Sequence, residues 1–292
     1  MLLRRRSPQA SSGFGVLIGA LALTLIVGAS GVARAAAPAA GQPPASAATL
    51  PTPPLPAPPD PAARYAHCMA LAHSNPAQAF TEAETWRQEN GHFPAEHCAA
   101  VALIGLKRYA EAAARLEALA GAMMQESPRL RAETLEQAGQ AWLLGNQAAK
   151  AKIAFDGALK LAPGNTDLLI DRAEAYAEEK KYWNAIDDLN QALEQEPDRA
   201  DALVFRASAY RRLPDGLDLA RTDVDRALKI APDDVPALLE RGNIRSLKGA
   251  FAGASAAWSR VERLAPRSPE AAAAKDNLAR PATVQNSGAP AK

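Results

Sequence analysis

A proline recurs at a nearly constant spacing through the second half of the chain. Pro163, Pro197, Pro232 and Pro266 are 34, 35 and 34 residues apart. A fixed period of this size is typical of stacked repeats, in which one unit cannot bury its apolar face alone and at least three must pack together. The spacing therefore predicts a repeat architecture over residues 132–268.

The composition indicates that the repeating unit is helical. Of the 292 residues, 48% are hydrophobic, and Ala, Leu, Glu and Arg, which lose little side-chain freedom in a helix, dominate the middle of the chain. No segment shows the alternating pattern of a half-buried strand. We therefore expect an all-α fold.

Helical patterns continue on both sides of the four regular repeats. Residues 62–131 are predicted to form two degenerate helical pairs. Ser127-Pro128 is a helix start signal, with Ser as the N-cap and Pro at the first helical position. Ser268-Pro269 repeats that signal and predicts a capping helix over residues 269–280, which would cover the apolar edge of the last repeat. Residues 281–292 are expected to be a disordered tail.

The unit resembles the tetratricopeptide repeat, in an exported bacterial form. In residues 166–199 the family's large, small and terminal positions are matched by Leu169, Tyr176, Tyr182 and Leu189, by Ala173, Ala185 and Ala192, and by Pro197. The resemblance implies a right-handed α-solenoid of stacked antiparallel helix pairs, with about six pairs and a C-terminal capping helix. Arg245 departs from the pattern, because an aromatic residue is usual there, and we expect it to loosen the last repeat or to lie at the surface.

The resemblance also implies a working surface, because the first helix of each family repeat lines a groove that holds peptides or another protein. The register places these candidate partner-binding residues in the groove: Glu133, Glu136, Gln140, Asp171, Glu174, Phe205, Ser208, Arg211, Arg212 and Asn243. The first half is acidic and the second has a basic rim. We expect a protein or peptide partner of basic or mixed charge, anchored near Phe205. The alternative is that these charges are ordinary solvated helix faces.

The N-terminus has the pattern of a targeting segment. Arg4–Arg6 precede an apolar run from Phe14 to Ala29, and Ala33-Arg34-Ala35 supplies a small-x-small cleavage pattern. We expect residues 1–35 to be a cleaved signal peptide and the protein to be periplasmic or exported. The alternative is an uncleaved segment that anchors the protein in the inner membrane.

A linker is expected between the signal and the folded part. Residues 36–61 contain ten prolines, a composition that favours an extended spacer. Removal of residues 1–35 leaves 29 basic and 32 acidic residues, a net charge of −3. Since a nucleic-acid-binding protein needs a clustered basic face, this function is not expected.

Both cysteines and all four histidines lie between His67 and Cys98. In an exported protein, two cysteines more often form a disulfide than a metal site. A Cys68–Cys98 bond would close a loop of about 30 residues and stabilise the degenerate repeats by about 3 kcal/mol. Two alternatives remain open at this point: free thiols, or a copper or zinc site that uses the cysteines with His67, His92 or His97.

No pattern indicates catalysis, and we expect neither an enzyme nor a bound cofactor. The glycines at 13, 15 and 19 lie in the targeting segment, and no nucleophile elbow is present. The leading interpretation is a non-enzymatic periplasmic scaffold that binds protein through its solenoid. The first alternative is an N-terminal metal- or redox-linked module with the solenoid as docking arm. The second is a component of a polysaccharide-export or outer-membrane assembly complex.

Overall fold

A computed structural model describes residues 60–280 of the chain. The described residues form thirteen α-helices and no strand. The helices are α1 (Pro61–Ser74), α2 (Pro76–Gln88), α3 (His92–Gly105), α4 (Tyr109–Ala122), α5 (Pro128–Leu144), α6 (Ala148–Leu161), α7 (Thr166–Glu178), α8 (Tyr182–Gln195), α9 (Ala200–Tyr210), α10 (Leu217–Ile230), α11 (Val235–Leu247), α12 (Phe251–Leu264) and α13 (Pro269–Ala279). The predicted signal peptide, most of the linker and the predicted tail lie outside the described residues.

The helices form six consecutive pairs and one final helix. Each odd-numbered helix up to α11 packs against the helix that follows it, and α13 packs against α12. The first helices of neighbouring pairs also touch, as α5 does α7, α7 does α9 and α9 does α11. This arrangement confirms the expected all-α solenoid of helix pairs.

Side-chain caps explain where several helices begin. Ser127 Oγ accepts a hydrogen bond from the amide of Leu130 at 3.2 Å, and Ser268 Oγ accepts one from Ala271 at 3.0 Å. Asn165 caps α7 in the same way, with 3.1 Å between its Oδ1 and the amide nitrogen of Leu168. Each cap satisfies an amide that has no partner within the helix.

Small residues allow the helices of a pair to approach closely. Gly139 lies against the ring of Phe155 and Gly242 against the indole of Trp258, and in both places a Cβ atom would overlap the ring. The two rings are buried. The small and large positions of the repeat are therefore complementary parts of one core.

None of the helices within residues 60–280 is long and apolar enough to cross a lipid bilayer.

Candidate functional site

The first helices of the repeats form one continuous surface, which we call the groove. It is built from α5, α7, α9 and α11, and α13 lies beside α11 at its C-terminal end. Because each first helix presents the same register positions, the groove carries a row of side chains that repeats along the chain. In the N-terminal half these side chains bond to one another, whereas in the C-terminal half several of them line a pocket.

In the N-terminal half, the predicted carboxylates have partners on the first helices, and one of these contacts joins two repeats. The side-chain amide of Gln140 on α5 donates to Asp171 on α7 at 2.8 Å and to Glu136 at 3.2 Å. Asp171 is only 3% exposed, and Glu133 pairs with Arg129 at 2.8 Å. The structure therefore places Asp171 below the surface, where it joins two repeats, because a glutamine on the preceding repeat reaches over it.

Further toward the N-terminus, a histidine joins three helices. The Tyr65 hydroxyl on α1 lies 2.8 Å from Nδ1 of His97 on α3, and Nε2 of His97 lies 2.7 Å from Oε1 of Gln137 on α5. Since the amide oxygen of Gln137 can only accept, Nε2 carries the proton and Nδ1 accepts from Tyr65. Burial lowers the pKa of His97, while the hydrogen bond to Gln137 opposes this effect.

In the C-terminal half, the groove opens into a pocket of about 420 Å³, which we call the groove pocket. Its walls come from α7, α8, α9, α11 and α13 and from the turns after α7 and α9. The lining residues are Glu174, Ala177, Glu178, Lys180, Tyr182, Phe205, Ser208, Ala209, Arg211, Arg212, Leu239, Glu240, Asn243, Pro269, Glu270 and Ala273.

The groove pocket unites six of the ten predicted groove residues. Glu174, Phe205, Ser208, Arg211, Arg212 and Asn243 line it, whereas Glu133, Glu136, Gln140 and Asp171 do not. The division follows the chain, since the four residues that do not line the pocket all belong to α5 or the first half of α7.

One predicted basic residue of the rim is neutralised within the pocket. The guanidinium of Arg211, the residue directly after α9, donates through Nε and Nη2 to the carboxylate of Glu240 on α11, which is 2% exposed. Glu240 also accepts from Asn243 at 3.3 Å, and Asn243 accepts from Asn277 of α13 at 3.0 Å. This chain of contacts fixes α9, α11 and α13 relative to one another.

The remaining charges of the pocket are mixed, with an acidic excess. Glu174, Glu178 and Glu270 face two basic residues, Lys180 and Arg212. The apolar surface of the pocket is supplied by Phe205, Leu239 and Tyr182. The pocket can therefore hold an apolar side chain whose neighbours carry charge, with a preference for positive charge.

Sequence reasoning missed the contribution of the last helix. Pro269, Glu270 and Ala273 line the pocket, although the sequence predicts for α13 only a capping role. Tyr182, a large position of the repeat, packs against the core and also lines the pocket. The spacing of the repeats could not reveal the contacts of α13, since this helix lies outside the period.

The cysteines form a disulfide that joins α1 to α3. Cys68 and Cys98 are bonded, with their Cα atoms 6.1 Å apart, and both are buried. Within residues 60–280, no group of three His, Cys, Asp or Glu side chains converges in a way that could hold a metal ion. His67 lies 3.5 Å from Glu82, so the predicted ligand candidates His67 and His97 have different partners.

Other solved structures have a fold similar to that of this chain. No family model matches the sequence, and no curated protein sequence matches it. Among solved structures, the chain resembles Pseudomonas aeruginosa pilF with a TM-score of 0.54 and 14% identity, over 74% of this chain and 99% of that one. It also resembles MamA from Desulfovibrio magneticus with a TM-score of 0.49 and 19% identity, over 64% and 97% of the two chains.

A third similar structure is the first tetratricopeptide domain of Spaghetti (RPAP3) bound to an HSP90 peptide, with a TM-score of 0.39 and 26% identity, over 44% of this chain and 96% of that one. The likeness to pilF, at 14% identity, carries over the fold alone. Together with the six helix pairs, it shows that this chain has the fold of a tetratricopeptide-repeat protein.

Proposed function

We propose that the chain is a scaffold that binds a segment of a partner protein in the groove pocket. The observation that carries this proposal is the pocket itself, which combines apolar and charged side chains at the C-terminal end of the groove. Its volume of about 420 Å³ falls within the range of about 300–1,000 Å³ that is common for ligand sites. The pocket is large enough for the side chains of a short segment, and it is too small for a folded domain.

The chemistry of the pocket defines the kind of segment. An apolar side chain would bury its surface against Phe205 and Leu239, which supplies affinity through the hydrophobic effect. A lysine or arginine beside it would meet Glu178 or Glu270, which would steer association and set the orientation. We therefore expect the partner segment to contain an apolar residue flanked by basic residues.

The place of action is also part of this proposal. The targeting pattern of residues 1–35 and the buried cysteine pair support a periplasmic or exported protein, because disulfides persist in oxidising compartments. Cell fractionation with mass determination of the mature chain tests this. A cytoplasmic chain that retains residues 1–35 would contradict it.

A displayed peptide library is the sharpest test of the pocket. The wild-type chain should enrich peptides with an apolar residue flanked by Lys or Arg. Phe205→Ala should abolish enrichment, because it removes apolar surface from the pocket. Glu270→Lys should shift enrichment toward peptides in which acidic residues flank the apolar one. Glu133→Lys makes the same charge change outside the pocket and serves as the matched control, with enrichment unchanged. Equal enrichment by the wild type and Phe205→Ala would refute the proposal.

A further inference from the structure

One arginine repeats in the first helices and is held in the same way twice. Arg172 on α7 donates through Nε and Nη2 to the two oxygens of Asp188 on α8, at 2.8 and 2.7 Å. Its Nη1 donates to Asp156 on α6 at 2.8 Å, and its guanidinium lies 6.0 Å from the ring of Tyr176. The arginine thus joins one repeat to the one before it.

The next repeat reproduces this arrangement 34 residues later. Arg206 on α9 donates through Nε and Nη2 to Asp223 on α10, at 2.8 and 2.7 Å. Its Nη1 donates to Asn190 on α8 at 2.7 Å, and the ring of Tyr210 is 6.0 Å away. A bidentate carboxylate is therefore the regular partner of this arginine position.

The third repeat keeps the arginine and loses two of the residues that hold it, while Asp225 on α10 keeps the position of Asp156 and Asn190. Arg241 occupies the position on α11, 35 residues after Arg206. Asp188 and Asp223 each stand six residues after the start of the second helix, and the residue six after Phe251 at the start of α12 is Ala257. The position of Tyr176 and Tyr210 is taken by Arg245. Arg241 thus meets neither the aspartate nor the aromatic ring.

The consequence is a buried donor without an acceptor. Nε of Arg241 is buried and has no hydrogen-bond partner among the described residues, a situation that is rare because it forfeits a hydrogen bond to water. Burial lowers the pKa of Arg241, and the positive charges of Arg245 and Arg260 lower it further. Asp225 is the only acid whose charge opposes this effect, but it is exposed and forms no ion pair within residues 60–280.

Arg245 and Arg260, the two arginines near Arg241, are bonded to other acceptors. Arg260 pairs with Asp233 at 2.6 Å, and Arg245 donates to the carbonyl oxygen of Gly253 at 3.3 Å. Both guanidiniums add to the positive potential around Arg241. Arg241 is partly exposed, and Nε is the only nitrogen of its guanidinium that is buried without an acceptor in the described part of the chain, so a molecule from solution can reach the terminal nitrogens.

We propose that Arg241, with Arg245 and Arg260 beside it, is a binding site for a carboxylate that comes from another molecule. The ligand would take the role that Asp188 and Asp223 play inside the chain, accepting two parallel hydrogen bonds from the planar guanidinium. The source is a small dicarboxylate or an acidic side chain of a bound protein. None of the three arginines lines the groove pocket, so this site is separate from the proposed peptide site.

The test uses the full-length 15N-labelled chain, titrated in separate experiments with succinate and with a tetraglutamate peptide. The Nε–Hε signal of Arg241 should shift on addition, because a carboxylate that binds the terminal nitrogens changes the charge distribution of the same guanidinium. Arg241→Lys should weaken binding about tenfold or more, since an ammonium cannot form the two-point contact. Ala257→Asp should do the same by supplying the carboxylate from within the chain.

Arg226→Lys is the matched control, because Arg226 is an exposed arginine that pairs with Asp198 at 3.1 Å, and its variant should bind as the wild type does. If Ala257→Asp does not fold, because Ala257 is 2% exposed, Arg241→Lys still decides. Tighter binding of tetraglutamate than of succinate would identify a protein source, and the reverse order a small molecule. Equal affinities of the wild type and Arg241→Lys, or no binding of either ligand, would overturn the proposal.

Discussion

Replacing Asp223 by alanine removes the acceptor that holds a nearly buried arginine. Asp223 is 5% exposed and accepts both hydrogen bonds of the Arg206 fork. In the variant, Arg206 would keep only its contact with the neutral side chain of Asn190. The positive charge would then lie between α8, α9 and α10 without a negative partner.

The expected cost follows from this burial. Breaking a buried ion pair by removing one partner typically costs about 3–5 kcal/mol, because the remaining charge stays desolvated. The side chain of Arg206 is 19% exposed and retains some water, so we expect the lower end, about 3 kcal/mol. For a chain of this size, that corresponds to a fall of about 6–12 °C in Tm.

Two measurements check the size and the place of the effect. Urea unfolding followed by circular dichroism gives the free energy of unfolding, and amide hydrogen exchange should show the loss concentrated in α8–α11, since the stability of a repeat protein is a sum of local terms. The double variant Arg206→Leu/Asp223→Leu removes both charges and should recover most of the loss.

Asp233→Ala is the matched control for burial. It also removes an aspartate from an arginine, but the side chain of Asp233 is 68% exposed, so the cost should be about 1 kcal/mol or less. If Asp223→Ala costs no more than Asp233→Ala, then burial does not set the strength of this contact, and the reasoning for Arg241 also fails.

Two further predictions concern the N-terminal helices. Because burial lowers the pKa of His97 below its ordinary value of 6.5, the unfolded chain takes up a proton where the folded chain does not; the free energy of unfolding should therefore fall as the pH drops below about 6.5. Urea unfolding at pH 7.5 and 5.5 should show a weaker pH dependence in His97→Gln, whereas the exposed control His73→Gln should behave as the wild type. Replacing both Cys68 and Cys98 by alanine should lower the stability of α1–α4 by about 3 kcal/mol, and reductant should destabilise the wild type but not this variant; equal sensitivity to reductant would contradict the prediction.

The fold could be predicted from the sequence because the repeat imposes one pattern several times. Four prolines at a spacing of 34 or 35 residues and matching small and large positions determine helix pairs that must stack. Ser127 and Ser268 mark helix starts by local chemistry. Such features depend on residues close in sequence, so the sequence alone predicts them.

The state of the groove was harder to predict, because it depends on contacts between repeats. The register assigns Asp171 and Arg211 to first helices, and the structure has Asp171 within α7 and Arg211 at the C-cap of α9. It does not show that Gln140 covers Asp171, or that Glu240 neutralises Arg211, since these partners are 31 and 29 residues away. The register therefore predicts on which face of a helix a side chain lies. Whether that side chain can contact a partner depends on its contacts with the neighbouring repeat.

The repeats also act as internal comparisons for one another. Arg172 and Arg206 show what surrounds an arginine at this position when it serves to join repeats: a buried aspartate on the second helix and an aromatic ring one turn later. Around Arg241, Ala257 stands in place of the aspartate and Arg245 in place of the aromatic residue. These substitutions leave Arg241 without a two-point acceptor among the described residues. Its positive charge is therefore available to hold a negative group from outside the chain.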